Sequence, residues 1–171
     1  HGPRTFGLTA LGWATSRPVP DRRGASAGEA LWLTGTLGRA MLGFAEDCAD
    51  PALRAAFLRP TPRLAEGRAL APHVSAMMDV SDGLLLDCWR LAAASRVTIA
   101  LDSSLIPVAD PARLGECLRW GDDYELLFTL PQGVAPPVAA TQIGAVLAPG
   151  AAPLRLDGEP FTSAAGLGYA H

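Results

Sequence analysis

A strand that runs directly into a helix near the middle of the chain narrows the possible folds more than any other feature. Residues 74–79 read as a strand, Ser81-Asp82-Gly83 as a turn, and Leu84, Leu85, Cys88, Trp89 and Leu91 recur as an amphipathic helix. An apolar strand over 97–101 completes a β-α-β unit, and a helix with one apolar stripe needs a sheet to cover it. Upstream, a strand over 30–34 turns through Gly35-Thr36-Leu37-Gly38 into a helix over 40–45. Further helices are expected over 53–58 and 64–70, on either side of the extended Arg59-Pro60-Thr61-Pro62-Arg63. Downstream, a helix over 111–120 leads through Gly121-Asp122-Asp123 into a strand over 124–130, with short strands over 143–147 and 153–156. The succession predicts one α+β domain, an α/β sandwich with a mixed sheet flanked by helices.

With 171 residues, 49% of them hydrophobic and 18% charged, the chain has the material for a core of its own. No apolar run reaches the length of a membrane span, so a cytoplasmic protein is expected. The net charge of −3 provides no basic field, and neither nucleic acid nor a membrane surface is an expected partner. Cys48, Cys88 and Cys117 are odd in number and far apart, which reads as plain thiols. All 14 basic residues are Arg; Lys is absent, and with it any phosphate site built on a P-loop or protein-kinase lysine. Phosphate held by such a chain must be gripped by Arg, backbone N–H groups or a metal ion.

Residues 5–11 read as a strand that begins close to His1, without an initiator Met, and a strand with nothing before it is an edge in search of a neighbour. The start is therefore expected to be a truncation point. The Pro-, Gly- and Arg-rich stretch 16–27 reads as a connector and candidate domain boundary.

Two acidic segments carry the candidate chemistry. Asp79-Val80-Ser81-Asp82-Gly83 lies where a strand stops and a helix begins, with Asp79 and Ser81 on a shared side by alternation. Ser81 or Asp82 can cap the helix, whose free N–H groups suit phosphate, and two carboxylates beside phosphate suit Mg²⁺. An ordinary cap and turn is the plainer alternative. Gly121-Asp122-Asp123-Tyr124-Glu125 places three carboxylates at the start of an apolar strand, Asp123 and Glu125 towards one face. These can hold a metal, accept hydrogen bonds from a substrate, or form a solvated loop. Arg22-Arg23 and the Arg59 to Arg63 stretch can contact phosphate, or serve as a solvated linker and a helix-start device. Tyr169 can stack on an aromatic ligand or simply pack. His73 has no partner at metal spacing and reads as structural.

Six segments in order resemble the motifs of one family. They are Thr9-Ala10-Leu11-Gly12, the stretch from Arg22 to Glu29 leading to Thr34-Gly35, and Arg59-Pro60-Thr61-Pro62-Arg63. Asp79-Val80-Ser81-Asp82-Gly83-Leu84, Gly121-Asp122-Asp123-Tyr124-Glu125-Leu126 and Gly168-Tyr169-Ala170-His171 complete the set. Together they resemble the thiamine-monophosphate kinase family, in the superfamily that includes aminoimidazole ribonucleotide (AIR) synthetase, selenophosphate synthetase and a hydrogenase-maturation protein.

The resemblance implies an AIR-synthetase-like C-terminal domain over 21–171, preceded over 1–20 by the last strand and linker of an N-terminal ATP-binding domain. It implies Mg²⁺-dependent phosphoryl transfer from ATP to thiamine phosphate, giving thiamine diphosphate and ADP. On that basis Asp79 and Asp82 ligate Mg²⁺, Ser81 and Arg22 contact ATP, and Asp122 and Tyr169 contact thiamine phosphate. Asp123 and Glu125 are secondary candidates. No general base is assigned, because a phosphate acceptor is already ionised near neutral pH. Arg23 departs from the family's usual Ser, and Asp122 stands where other members have Glu. The family's N-terminal domain supplies a Gly-Asp-Asp acidic cluster and makes a homodimer. Without that domain, no useful kinase activity is expected of the chain alone. The alternative readings are another ATP-dependent member of the superfamily and a non-catalytic module that kept the fold.

Overall fold

The computed structural model describes residues 7–45 and 48–169; Thr5 and Phe6 of the expected first strand, and Ala170 and His171 of the last motif, lie outside the described residues. The elements run β1 (Glu29–Leu33), α1 (Arg39–Phe44), α2 (Pro51–Leu58), α3 (Leu64–Leu70), β2 (Ala76–Asp79) and α4 (Leu84–Ser95). They continue with β3 (Thr98–Leu101), α5 (Leu114–Cys117), β4 (Leu126–Pro131), β5 (Thr141–Leu147), β6 (Leu154–Leu156) and β7 (Glu159–Phe161). The strands form one mixed sheet in the order β2-β4-β1-β5-β3-β6-β7, in which only the β3–β6 pairing is parallel.

Alternation along the central strands loads both faces of this sheet. Leu31 and Leu33 of β1 and Leu127 of β4 point to one side, where Leu84, Leu85, Cys88 and Leu91 of α4 close the main core. Phe128 and Leu130 point to the other side, where Leu70 of α3 covers them together with Trp32 and Met77. The mixed α+β sandwich anticipated from the sequence is the fold observed.

Several local expectations change. The strands and helices of the expected β-α-β unit exist, but β2 and β3 are not neighbours, because β4, β1 and β5 are inserted between them. Residues 7–11 form no strand; Leu8 and Leu11 are 95% exposed and Trp13 is 96% exposed, and an isolated strand has no ladder to satisfy its backbone. The expected helix over 111–120 is a 3-10 turn, Pro111–Arg113, followed by the single turn of α5. The strand expected from Tyr124 begins at Leu126, because Asp122 and Tyr124 adopt left-handed backbone angles, φ 58° and 51°, which a strand cannot hold.

Candidate functional site

Three loops meet beyond the C-terminal end of β2 and the start of α4. The loop after β2 is bound to the loop before β4: the Asp122 N–H donates to the Ser81 carbonyl at 2.9 Å, the Tyr124 N–H to the Val80 carbonyl at 2.9 Å, and the Val80 N–H to the Glu125 carbonyl at 2.8 Å. The C-terminal segment joins them where the Tyr169 N–H donates to the Asp82 carbonyl at 2.9 Å. Two glycines permit this approach. A Cβ at Gly121 would lie 2.4 Å from the Ser81 carbonyl oxygen, and one at Gly168 would lie 2.1 Å from that of Asp82.

The junction encloses a cavity of about 690 Å³ lined by Phe44, Phe57, Trp120, Tyr124 and Tyr169, with Ser81, Asp82 and Asp122. Phe44 packs edge-on against Phe57 at 5.1 Å between ring centroids and leans on Trp120 at 5.2 Å. Phe44, Trp120, Tyr124 and Tyr169 are nevertheless 52, 37, 37 and 60% exposed, beside two carboxylates of the same cavity. Such a setting attracts a flat cation, through ring quadrupoles and through charge. The Tyr124 hydroxyl donates to Asp122 at 3.2 Å. Burial pushes the Tyr124 pKa up, and the charges of Asp122, Asp79 and Asp82 push it further in the same direction. Three carboxylates thus act on one ring.

The expected residues separate into four groups. Ser81, Asp82, Asp122 and Tyr169 are brought together at the cavity. Asp79 is exposed and lies on the other side of Tyr124, lining a cleft of about 350 Å³ with the Pro60 to Leu64 stretch. Arg22 is exposed, and its carbonyl accepts from the Ser95 hydroxyl at 2.9 Å. It therefore lies at the far end of α4 from Ser81, roughly 17 Å away along a helix rising 1.5 Å per residue.

Asp123 and Glu125 hold the scaffold. Asp123 accepts from the Gly38 N–H at 3.0 Å and from the N–H groups of Arg39 and Ala40, tying the start of α1 to the loop. Burial raises its pKa to about 6 against the pull of those bonds. Glu125, nearly buried, takes both forks of Arg63 at 2.8 and 2.6 Å and the Thr34 hydroxyl at 2.6 Å. Arg63 stands at the N-cap of α3, so it serves as a helix-start residue and as the partner of Glu125. The expected cap of α4 by Ser81 or Asp82 is not made: Gly83 is the N-cap, without a side-chain bond. Asp87, in the first turn, instead reaches back to the Ser81 and Asp82 N–H groups at 3.0 Å each. Desolvation raises the pKa of this wholly buried carboxyl, opposed by the Asp82 N–H and Arg90.

Among the described residues no group of three or more His, Cys, Asp and Glu could hold a metal ion. Asp79 and Asp82 offer the hard oxygen donors that suit Mg²⁺. They line hollows on either side of Tyr124, and Mg²⁺ commonly takes only one or two carboxylates beside water and ligand phosphate, so the donor chemistry suits the ion. Asp82 also bonds Arg90, which shares itself with Asp87 at 3.0 Å.

The AIR synthase related protein C-terminal domain matches residues 26–148. The chain belongs to that family. Among curated relatives in it, the thiamine-monophosphate kinase of Halobacterium salinarum is 35% identical over 93% of this chain and 59% of its own length. That of Salmonella typhimurium is 34% identical over 77% of this chain and 46% of its own length. The chain thus spans about half the length of the curated relatives it matches. The crystal structure of the Aquifex aeolicus thiamine monophosphate kinase superposes with a TM-score of 0.74 at 31% identity, covering 83% of this chain and 54% of that one. The AaThiL structure, complexed with AMPPCP and TMP, gives 0.74 at 30% identity, covering 84% of this chain and 52% of that one. Hydrogenase maturation protein HypE shares the fold at 17% identity, with a TM-score of 0.58.

Phe44, Phe57 and Trp120 lie on separate elements and carry no motif, so no sequence pattern marks them as site residues. Asp87 and Arg90 did leave a signal: two charges three residues apart inside the apolar helix Leu84-Leu85-Leu86-Asp87-Cys88-Trp89-Arg90-Leu91. A charge at a core position must be paired.

Proposed function

We propose that the chain forms the acceptor-binding part of a thiamine-monophosphate kinase, which transfers the γ-phosphoryl group of ATP to thiamine phosphate. The observation that carries this reading is the cavity whose exposed aromatic rings stand beside Asp82 and Asp122, a complement for the cationic ring of thiamine. Support comes from the thiamine-monophosphate kinases among its relatives. Asp122 and Tyr169 hold the thiamine moiety, with Trp120 and Phe44 as further stacking surfaces. Ser81 contacts ATP, and Arg22 its more distant part. Asp79 and Asp82 hold Mg²⁺, which when bound supplies charge neutralisation between the two anionic substrates. An oxygen of the thiamine phosphate forms a bond to the γ-phosphorus as the bond to the β–γ bridging oxygen breaks, and ADP leaves. No base is needed for an acceptor already ionised.

The described lining of the cavity is acidic and aromatic and holds no basic side chain for ATP phosphates. This chain alone is expected to bind acceptor and to transfer phosphate at a negligible rate. In the whole protein, residues 1–20 act as the connector to an ATP-binding domain, with a homodimer and a cytoplasmic location as the further expectations. The exposed Leu8, Leu11 and Trp13 are consistent with a covered connector.

Calorimetric titration of thiamine phosphate into the chain tests the site. Trp120→Ala and Asp122→Asn are each expected to weaken binding by about 5- to 30-fold, from roughly 1–2 kcal/mol of cation–π or charge attraction. Absence of binding, or an affinity indifferent to both substitutions, rejects the reading. In the whole protein, Mg-ATP and thiamine phosphate should yield thiamine diphosphate.

A further inference from the structure

We propose that Asp87 and Arg90 set the position and the charge of Asp82: Asp87 fixes the turn that carries it, and Arg90 neutralises it until a divalent cation takes its place. The inference rests on reading Asp82 as a Mg²⁺ ligand. Asp87 is wholly buried, and a carboxylate in such a place must have every oxygen bonded. Its Oδ2 accepts from the N–H groups of Ser81 and Asp82, both at 3.0 Å, and its Oδ1 from Arg90 Nη1 at 3.0 Å. Two consecutive backbone donors bound to one oxygen restrict the turn, and with it the direction of both side chains. That same turn supplies the carbonyls that receive Asp122 and Tyr169, so Asp87 stands behind all three loops of the site.

Arg90 Nη1 also donates to Asp82, so one guanidinium serves two carboxylates. The side chain of Arg90 is 34% exposed and that of Asp82 13%. Arg90 is therefore the more accessible partner. It lines a cavity of about 570 Å³ with Trp89, Gly166 and Gly168, which gives the guanidinium room to turn aside while Asp87 holds it. A cation binding at Asp82 competes with Arg90 for the same carboxylate. Arg90 thereby lowers metal affinity in the ligand-free chain and keeps Asp82 compensated, whereas Asp87 raises affinity by holding the turn. Opposite signs for two bonded neighbours are what a purely structural role does not produce.

Mn²⁺ is the probe, titrated into the chain by calorimetry and followed by paramagnetic broadening of the Ser81 and Asp82 amide signals. Arg90→Gln is expected to tighten Mn²⁺ binding about 5-fold, the scale of a partly exposed ion pair, and Arg90→Lys to return it to the wild-type value. Asp87→Asn keeps the shape but loses the charge for Arg90; it is expected to weaken Mn²⁺ binding about 10-fold, as for other residues that orient metal ligands. Hydrogen exchange of the Ser81 and Asp82 N–H groups should speed up in that variant while β1 and β4 keep their protection. An Arg90→Gln affinity that is unchanged or lower overturns the proposal, as does a failure of wild type and Arg90→Gln alike to bind Mn²⁺. Asp87→Asn that loses only thermal stability, with wild-type Mn²⁺ affinity when folded, overturns its positioning part. A chain that follows the expected Mn²⁺ pattern but binds no thiamine phosphate rejects the proposed function and leaves this inference standing.

Discussion

Asp123 lies in the middle of the acidic run from Asp122 to Glu125, and its carboxylate faces the first N–H groups of α1 from another part of the chain. Those donors and the buried setting pull its pKa in opposite directions. Desolvation wins, giving about 6. The folded chain then holds this proton more tightly than the unfolded chain, where Asp titrates near 3.9. The stabilising contribution of Asp123 is thus complete below about pH 3.9 and is lost as pH rises through about 6. The sign is opposite to that of carboxyls whose pKa is lowered, such as Asp157. Urea unfolding from pH 4 to 7 should show wild type losing up to about 3 kcal/mol relative to Asp123→Asn across this window. Equal pH dependence of the two proteins contradicts the assignment. Glu125, two residues on in the same motif, instead takes the fork of Arg63, so the two acids tie down different elements.

At the scale of elements, the site is held by backbone contacts between loops rather than by one rigid element. Gly168 illustrates the tolerance: any Cβ there would intrude on the Asp82 carbonyl, which receives the Tyr169 N–H. Gly168→Ala is expected to cost about 2 kcal/mol, the scale of overpacking a close contact. It should also weaken thiamine phosphate binding several-fold by pushing Tyr169 from the cavity. Thermal unfolding and calorimetry check both effects together; a variant with wild-type stability and affinity shows that the segments can part without loss. The α1–α2 pair contributes Phe44 and Phe57 to the same cavity. Pro at its first position and Asp50, which accepts from the Ala52 and Leu53 N–H groups, start α2 efficiently.

For the whole molecule, the distribution of burial sets where the structure opens first. The central strands β1 and β4 are covered on both faces, by α4 on one side and by Leu70 of α3 on the other. No residue of α2 is buried. Native-state hydrogen exchange should therefore be slowest in β1 and β4 and much faster in α2, with thiamine phosphate slowing α2 more than the central sheet. Uniform protection across these elements would show that the cavity wall is as firmly held as the core.

The sequence by itself determined most elements and the face each one presents, because periodicity is local: α3, α4, β1 and β5 lie close to where their patterns place them. Its motifs, through the family they resemble, also marked Ser81, Asp82, Asp122 and Tyr169, which share one cavity. Only the tertiary structure decided that three strands separate β2 from β3, because strand pairing is set by partners distant in the chain. It alone also brought Phe44, Phe57 and Trp120 to those acidic residues, and divided the carboxylates between those that line the cavity and those that tie the scaffold. The physical reason is common to all of these. A side chain's type fixes what it can bond to, whereas its neighbours and its access to water fix what it does.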